Sequence, residues 1–481
     1  MAEYSMKKAA MINAFGKFST IILQLIVNAI LSRLVSPDDY GIVAVITVFS
    51  TFFTMFSDMG FSTAIIQQKE LDESDFDRIF SFSLYIAVTL MLLFCGMSFG
   101  IASFYNNNVY IKLGPLLSIS LFFNALNMVP NGIINREKKF SAIALRTFVV
   151  SLIAAAIAIV LAYAGWKYYA IAMQTVISSL ITYVWNFLET RPRFEFKQCF
   201  RSVKKIINYS GYQFAFNIVN YFSRNLDNLL TGKFFGDAEL GYYNKAYTLM
   251  LYPVNNLAGV ITPVVHPLLS DYQNKKDFIY VQYIKLVKIL FIGAAYITPF
   301  CYLAANELIF ILFGNQWGNS AQCFRFLSLA ILPQFIGAPT GAIYQSIGKT
   351  KVLFYNAILN TAITVFAIII GIFVGKDIVA LSACISAAYT IHFFTTNLML
   401  INIGFKKSFT SFLIELSKEV CIILIGIIAA VAYPFSFNNV FASIIVKAIY
   451  LGLFYIVAVL VTGVYKNILN IIRHSKNEKE V

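Results

Sequence analysis

Gln213-Phe-Ala-Phe-Asn217-Ile-Val-Asn220-Tyr-Phe-Ser-Arg224-Asn-Leu-Asp227-Asn228-Leu-Leu-Thr231 decides how this chain is read. Gln213, Asn217, Asn220, Arg224, Asp227, Asn228 and Thr231 follow one another at steps of four, three, four, three, one and three. At 100° per residue they share one helix face roughly 100° wide. Phe214, Phe216, Ile218, Val219, Phe222, Leu226, Leu229 and Leu230 fill most of the remainder. In a soluble protein such a pattern marks a surface helix. Composition excludes that here: 59% of the 481 residues are hydrophobic, 12% are charged and the mean hydropathy is +0.73. The chain is a polytopic membrane protein, and the polar face must meet something wet or charged within the bilayer. An arginine at bilayer depth costs about 2.5 to 3.5 kcal/mol, so Arg224 is a functional candidate by default.

The stripe has a counterpart 200 residues earlier. Asn13, Lys17, Thr20, Gln24 and Asn28 stand where Gln213, Asn217, Asn220, Arg224 and Asn228 stand later, and the register continues to Asp39 with Glu239 and Gly41 with Gly241. A second trace at an offset of 209 relates Pro130-Asn-Gly132 to Pro339-Thr-Gly341. Two traces at nearly one spacing indicate a duplicated chain. Each repeated helix brings a cation, Lys17 or Arg224, to its polar face.

A membrane-spanning helix needs about 20 mostly apolar residues. Such runs fall at 9–34, 40–66, 79–104, 110–134, 141–164 and 167–188, then at 207–232, 246–269, 280–304, 320–346, 352–375 and 378–403. Two more, 415–435 and 438–463, bring the expectation to fourteen transmembrane helices. The organisation expected is all-α: an N-lobe of six helices (1–190), a basic cytoplasmic linker (191–206), a C-lobe of six (207–403), two accessory C-terminal helices (404–463) and a polar tail (464–481). Six is even, so the repeats enter the membrane in the same sense, and the two pseudo-symmetric bundles are expected to be related by an axis along the membrane normal with a site between them. The first run follows Lys7 and Lys8 like a signal peptide, but its length and the lack of a small-residue cleavage site read as a retained helix.

Cations orient the chain. With both termini in the cytoplasm, 25 of the 37 Lys and Arg fall in inside segments and six in outside ones. That asymmetry accounts for most of the +14 net charge without any nucleic-acid partner. The acidic cluster Glu70, Asp72, Glu73, Asp75 and Asp77 reads as a solvated loop, and the basic, aromatic connection Glu189 to Lys205 as a segment lying on anionic headgroups. Asp58, beside Gly60, reads as a helix cap or bend. Pro253, Pro263 and Pro267 share one span and read as a kink, either static or a hinge. Arg146, Lys288, Arg325 and Lys447 lie near predicted helix ends, where long side chains snorkel. The six scattered cysteines and three separate histidines show neither a disulfide framework nor a metal site.

Phe56-Ser-Asp-Met-Gly-Phe-Ser-Thr-Ala-Ile-Ile-Gln-Gln-Lys69, Tyr221-Phe-Ser-Arg-Asn-Leu-Asp-Asn-Leu-Leu-Thr-Gly-Lys233 with Leu240-Gly-Tyr-Tyr243, and Phe313-Gly-Asn-Gln-Trp317 resemble the bacterial polysaccharide transporter family. These are the lipid-linked oligosaccharide flippases of the multidrug/oligosaccharidyl-lipid/polysaccharide exporter superfamily. The resemblance covers about residues 8 to 410 and is most specific in the run from Arg224 to Asp227. It implies movement of a polyprenyl-pyrophosphate-linked sugar repeat unit across a bacterial cytoplasmic membrane, for capsule, exopolysaccharide or O-antigen, beside a polymerase and glycosyltransferases. It also implies an inverted-V cavity between two six-helix bundles.

The stripe's chemistry agrees with that cargo. A pyrophosphate cannot cross hydrocarbon unaided; Arg224 offers a bidentate fork for phosphate oxygens and Lys17 a point charge. Asn13, Gln24, Asn28, Gln213, Asn217, Asn220 and Asn228 can donate to and accept from sugar hydroxyls. Asp227, three residues from Arg224, either pairs with it to hold the helix or releases it when substrate arrives. Two other classes compete. A cation-coupled exporter of small amphiphilic drugs would want an acidic cavity, and a membrane-embedded polymerase or glycosyltransferase a large extramembrane catalytic loop. No outside connection exceeds roughly 15 residues, within the usual range of short connections. No GxxxxGK[ST] pattern is present, so no cofactor is expected and energy comes from an H+ or Na+ gradient or from the substrate's own gradient.

Overall fold

The computed structural model describes residues 19–58, 61–68, 71–197, 211–270, 272–273 and 275–465. Within these, the side chains of residues 58, 63–64, 67, 211–217, 219–220, 257–268 and 270 lie outside the description. The described chain is all-α. Nine helices are long and apolar enough to cross a membrane among the described residues, or ten with one bent pair counted. Their outer faces carry Leu92, Phe99, Val160 and Val461, exposed as membrane helices require. This is a multi-pass membrane protein.

Local sequence sets many of the boundaries. Helices α1 (Ser19–Leu34) and α2 (Pro37–Asp58) meet at Ser36, whose hydroxyl donates to Asp39 at 2.7 Å. The expected 40–66 span is divided: α2 ends at Asp58 and a short α3 (Phe61–Gln67) follows. Asp72 caps α4 (Glu73–Tyr105) by accepting from the Asp75 amide at 2.7 Å, and Asn106 closes it in the left-handed region. Then come α5 (Val109–Arg136), α6 (Phe140–Tyr163), α7 (Tyr168–Thr190), α8 (Gly211–Phe235) and α9 (Asp237–Ser270), which runs unbroken through Pro253, Pro263 and Pro267. The series continues with α10 (Lys276–Leu303), α11 (Ala305–Phe313), α12 (Gly318–Ser328), α13 (Ile331–Gly337), α14 (Thr340–Ser346), α15 (Thr350–Ile369) and α16 (Ile378–Met399). Last are α17 (Phe409–Glu415), α18 (Ser417–Val431) and α19 (Val440–Thr462). The span expected at 320–346 is not one helix: Asn315–Ser328 and Ile331–Ser346 meet at 51°. Pro333 lies in the first turn of α13 and Pro339 just before α14, each lacking the amide that would continue the helix before it.

The chain forms two compact units, Met1–Gly241 with Leu312–Gln316, and Tyr242–Ile311 with Trp317–Val481. In the first, α5 is central and packs on α2, α3, α4 and α7. Ile46, Phe94, Tyr110, Leu113 and Leu121 make its core, while Val27 and Leu31 of α1 lie on Ala155, Ala158 and Ala162, small residues that let membrane helices approach closely. In the second, α10 packs on α12, α13, α18 and α19, with Tyr283, Phe405 and Phe412 in the core. Lys447 does not snorkel: its ammonium meets the Glu307 carboxylate at 2.6 Å, both side chains about 12% exposed, and Ser443 donates to the same oxygen at 2.7 Å. The accessory helix α19 is thereby tied to α11.

The acidic segment is a docking site rather than a solvated loop. Asp75 is only 3% exposed, Asp77 accepts the Arg193 amide at 2.7 Å, and Arg78 pairs with Glu195 at 2.9 Å. Ser81 accepts the Glu195 amide at 2.5 Å. The described start of the basic connection, 191–197, is thus bound to the first turns of α4, while Arg191, Arg193, Phe194, Phe196 and Lys197 stay exposed.

Also inside the first unit, the starts of α2 and α9 cross at their glycines. A Cβ on Gly41 would lie 1.7 Å from the Asp237 carbonyl oxygen, and one on Gly241 would lie 2.0 Å from that of Pro37. Asp237 itself is held by Asn107 Nδ2 at 2.9 Å and Tyr110 OH at 3.2 Å.

Candidate functional site

The polar face of α8 divides into two halves with different surroundings. Asp227, Asn228 and Thr231 are buried, at 3%, 4% and 0% exposure, while Arg224, one turn earlier, is exposed. Packing on α2 and α4 causes the division. Tyr221 donates to the Val48 carbonyl at 2.5 Å and stacks on Phe52, and Tyr105 of α4 donates to the Leu229 carbonyl at 3.0 Å. Those contacts turn the far half of the stripe into the first unit. Asp227 does not pair with Arg224 here; its Oδ1 accepts the Asn228 amide at 2.8 Å, and Arg224 has neither ion pair nor side-chain hydrogen bond among the described residues. Gln213, Asn217 and Asn220 lie on α8 with side chains outside the described set, and Asn13 and Lys17 lie outside the described residues altogether.

Gln24 and Asn28 of α1 open on a cavity of about 470 Å³ within the first unit. Asn124 of α5, Ser151 of α6 and Gln174, Ser178 and Thr182 of α7 complete its polar lining. Leu23, Val27, Ala154 and Ala155 supply the apolar part, and no charged side chain lines it among the described residues. That volume is in the usual range for a small-ligand site. Helical spacing builds it: Gln24 and Asn28 are four apart, and Gln174, Ser178, Thr182 and Asn186 continue at the same interval down one face of α7.

Beside the cavity, Asn186 Nδ2 donates to Asn127 Oδ1 at 2.8 Å, and Asn186 Oδ1 accepts from Arg146 Nη1. Arg146 is 7% exposed, so it does not snorkel. It is a buried cation whose hydrogen-bond partner is the Asn186 amide, and no carboxylate pairs with it among the described residues. A buried charge of this kind is costly and marks function more often than stability. Sequence reasoning missed Asn124, Ser151, Gln174, Ser178, Thr182 and Asn186. The four-residue ladder on α7 was the signal that would have found them.

Apolar helices enclosing a chamber of amides and hydroxyls, with an exposed arginine on α8 of the same unit, define a membrane transporter rather than an enzyme. Comparison with known proteins gives the particular kind. The family model described as polysaccharide biosynthesis protein matches residues 30–322, more than half of the chain, and the chain belongs to that family. It is 22% identical over 373 residues to the lipopolysaccharide biosynthesis protein WzxC of Escherichia coli (strain K12), covering 75% of this chain and 73% of that one. It is 21% identical over 392 residues to the succinoglycan biosynthesis transport protein ExoT of Rhizobium meliloti (strain 1021), covering 79% and 77%. Among solved structures, the lipid II flippase MurJ in an inward closed conformation shares the fold at a TM-score of 0.73 and 15% identity, over 95% of this chain and all of that one.

Proposed function

We propose that the protein is a flippase that carries a polyprenyl-pyrophosphate-linked oligosaccharide repeat unit across the bacterial cytoplasmic membrane by alternating access, for assembly of a surface polysaccharide. The termini are cytoplasmic, the sequence repeats run over 1–190 and 207–403 although α8 packs in the first unit, and a polymerase and glycosyltransferases act in the same pathway. Two observations support this reading: a cavity lined by amides and hydroxyls, with no charged side chain on it among the described residues, and an exposed Arg224 on α8 that has no ion pair among the described residues. Sugar hydroxyls both donate and accept, and Gln24, Asn28, Asn124 and Gln174 do the same. Pyrophosphate needs a cation to replace its water, and Arg224, joined by Lys17, supplies one. Asn13, Gln213, Asn217, Asn220, Asp227 and Asn228 extend the path along the two related helices. An acidic lining would be wanted for cationic drugs, and no acidic residue lines the cavity among the described residues.

The test is complementation of a bacterial strain that lacks its own flippase and displays polymer only when this chain is supplied. Arg224→Ala is expected to abolish surface polymer and to accumulate lipid-linked repeat unit inside, with normal protein in the membrane. Normal polymer from that variant would overturn the cation's role.

A further inference from the structure

In the second unit, α15 and α16 are joined by a ladder of side-chain hydrogen bonds. Asn356 Nδ2 and Asn360 Nδ2 both donate to Thr396 Oγ1, at 3.0 and 3.1 Å, and Thr395 Oγ1 donates to Asn360 Oδ1 at 2.9 Å. At the end of the ladder His392 Nε2 lies 2.9 Å from the Asn360 carbonyl and 3.3 Å from Thr364 Oγ1. Thr364 spends its own proton on the Asn360 carbonyl at 3.0 Å. A carbonyl can only accept, so Nε2 carries the ring proton and Nδ1 holds the lone pair. Nδ1 has no hydrogen-bond partner among the described residues.

The ring's surroundings are polar but hold no anion among the described residues. Tyr389 stands edge-on at 5.5 Å, and its hydroxyl meets that of Tyr247 on α9 at 2.6 Å. The elements packed on α16 are α12, α13, α15 and the π turns Ile370–Gly375 and Leu400–Gly404. They bring Arg325 and Cys323 from α12 and Lys351 and Tyr355 from α15; Cys384 and Tyr389 are on α16 itself. From α9 come Tyr243, Lys245 and Tyr247, while Asp237 and Glu239 lie at least two turns before Tyr247. None of the elements packed on α16, nor α16 itself, carries Asp or Glu.

We propose that His392 is a proton-binding site that couples transport to a proton gradient. A proton from water binds the Nδ1 lone pair, Nε2 keeps its hydrogen, and the imidazolium so formed has no carboxylate to pair with in this conformation. The charged form therefore favours a conformer in which the α15–α16 seam opens to water or to an anionic cargo, and by linkage that conformer takes up the proton. Only the cargo in this statement rests on the flippase reading; the proton site itself does not.

Hydrogen–deuterium exchange of the full chain in lipid nanodiscs, without substrate, tests it. After correction for intrinsic exchange, peptides of α15 and α16 in the wild type are expected to exchange at least about tenfold faster at pH 5 than at pH 7.5, a 1.4 kcal/mol loss of protection. In His392→Gln, which keeps an N–H donor for the Asn360 carbonyl and removes the titration, the two rates are expected to coincide. No acid response in the wild type, or the same response in the variant, overturns the site. In cells, His392→Gln is expected to lower surface polymer about tenfold. Normal polymer from this variant overturns coupling, while the flippase reading stands or falls separately on Arg224→Ala.

Discussion

Gly41 and Gly241, counterparts 200 residues apart, each press against the backbone that opens the other's helix: Gly41 against Asp237 and Gly241 against Pro37. The contact is reciprocal, as a local two-fold requires. It joins two positions that the offset of 200 pairs in sequence. No side chain fits at either place, because the atom in the way is a carbonyl oxygen and not a movable side chain.

Alanine at either glycine is therefore expected to destabilise the protein by about 1 to 3 kcal/mol, the ordinary cost of overpacking. The two single variants should cost similar amounts, since the contact is symmetric, and the double variant less than their sum, since one displacement relieves both. Thermal inactivation in detergent measures this. Additive losses would show that the two sites yield independently.

The buried trio Arg146, Asn186 and Asn127 is expected to respond unevenly to substitution. Asn186→Leu leaves the guanidinium buried without its acceptor and should cost about 2 to 3 kcal/mol. Arg146→Met removes the charge along with its needs and should cost less, because the side chain's aliphatic stem is retained in kind. If Arg146→Met is the more damaging in a thermal assay, the cation is itself a positive contributor to stability.

Ser178→Leu places a branched side chain in the cavity between Gln174 and Thr182. Protein level should be unchanged and surface polymer should fall about tenfold or more, whereas Ser178→Ala, which keeps the space and loses one hydroxyl, should lose only a few-fold. Polymer yield from a complemented strain, normalised to membrane protein, separates the two. Equal yields from both variants would remove the chamber from the transport path.

Burial pushes the Asp237 carboxyl above its ordinary range, the hydrogen bonds from Asn107 and Tyr110 pull it back in part, and nearby Asp38 raises it further. An acid raised on folding binds its proton more tightly in the native state, so native stability rises as pH falls through the raised value and stops rising below the unfolded carboxylate range. The wild type should therefore gain thermal midpoint relative to Asp237→Asn between neutral pH and about pH 4. A difference that stays flat, or shrinks, contradicts a raised carboxyl.

The helices were legible because their apolar runs are long: the expected 110–134 and 141–164 became Val109–Arg136 and Phe140–Tyr163. The break near Ile331 was visible only as Pro333 and Pro339 within a run greasy enough to hide them. The stripe on α8 was correctly polar, but periodicity says nothing of which neighbour covers it, and α2 and α4 bury its far half. Arg146 and Lys447 looked alike in sequence, as cations near helix ends. Tertiary partners separate them: an asparagine for one, a carboxylate for the other. The lining of the cavity was missed because serine and threonine are unremarkable singly, and their meaning arises from four helices, α1, α5, α6 and α7, converging.

Residues 211–241 belong, by packing, with the chain that precedes the connection and not with the chain that follows it. Hybrid genes joined at the connection would strip α2 of its own α8 and offer it a stranger's. Recombinants spliced just after Gly241 keep the glycine crossing and the α2–α8 seam of one parent intact, and those are the shuffled chains expected to fold.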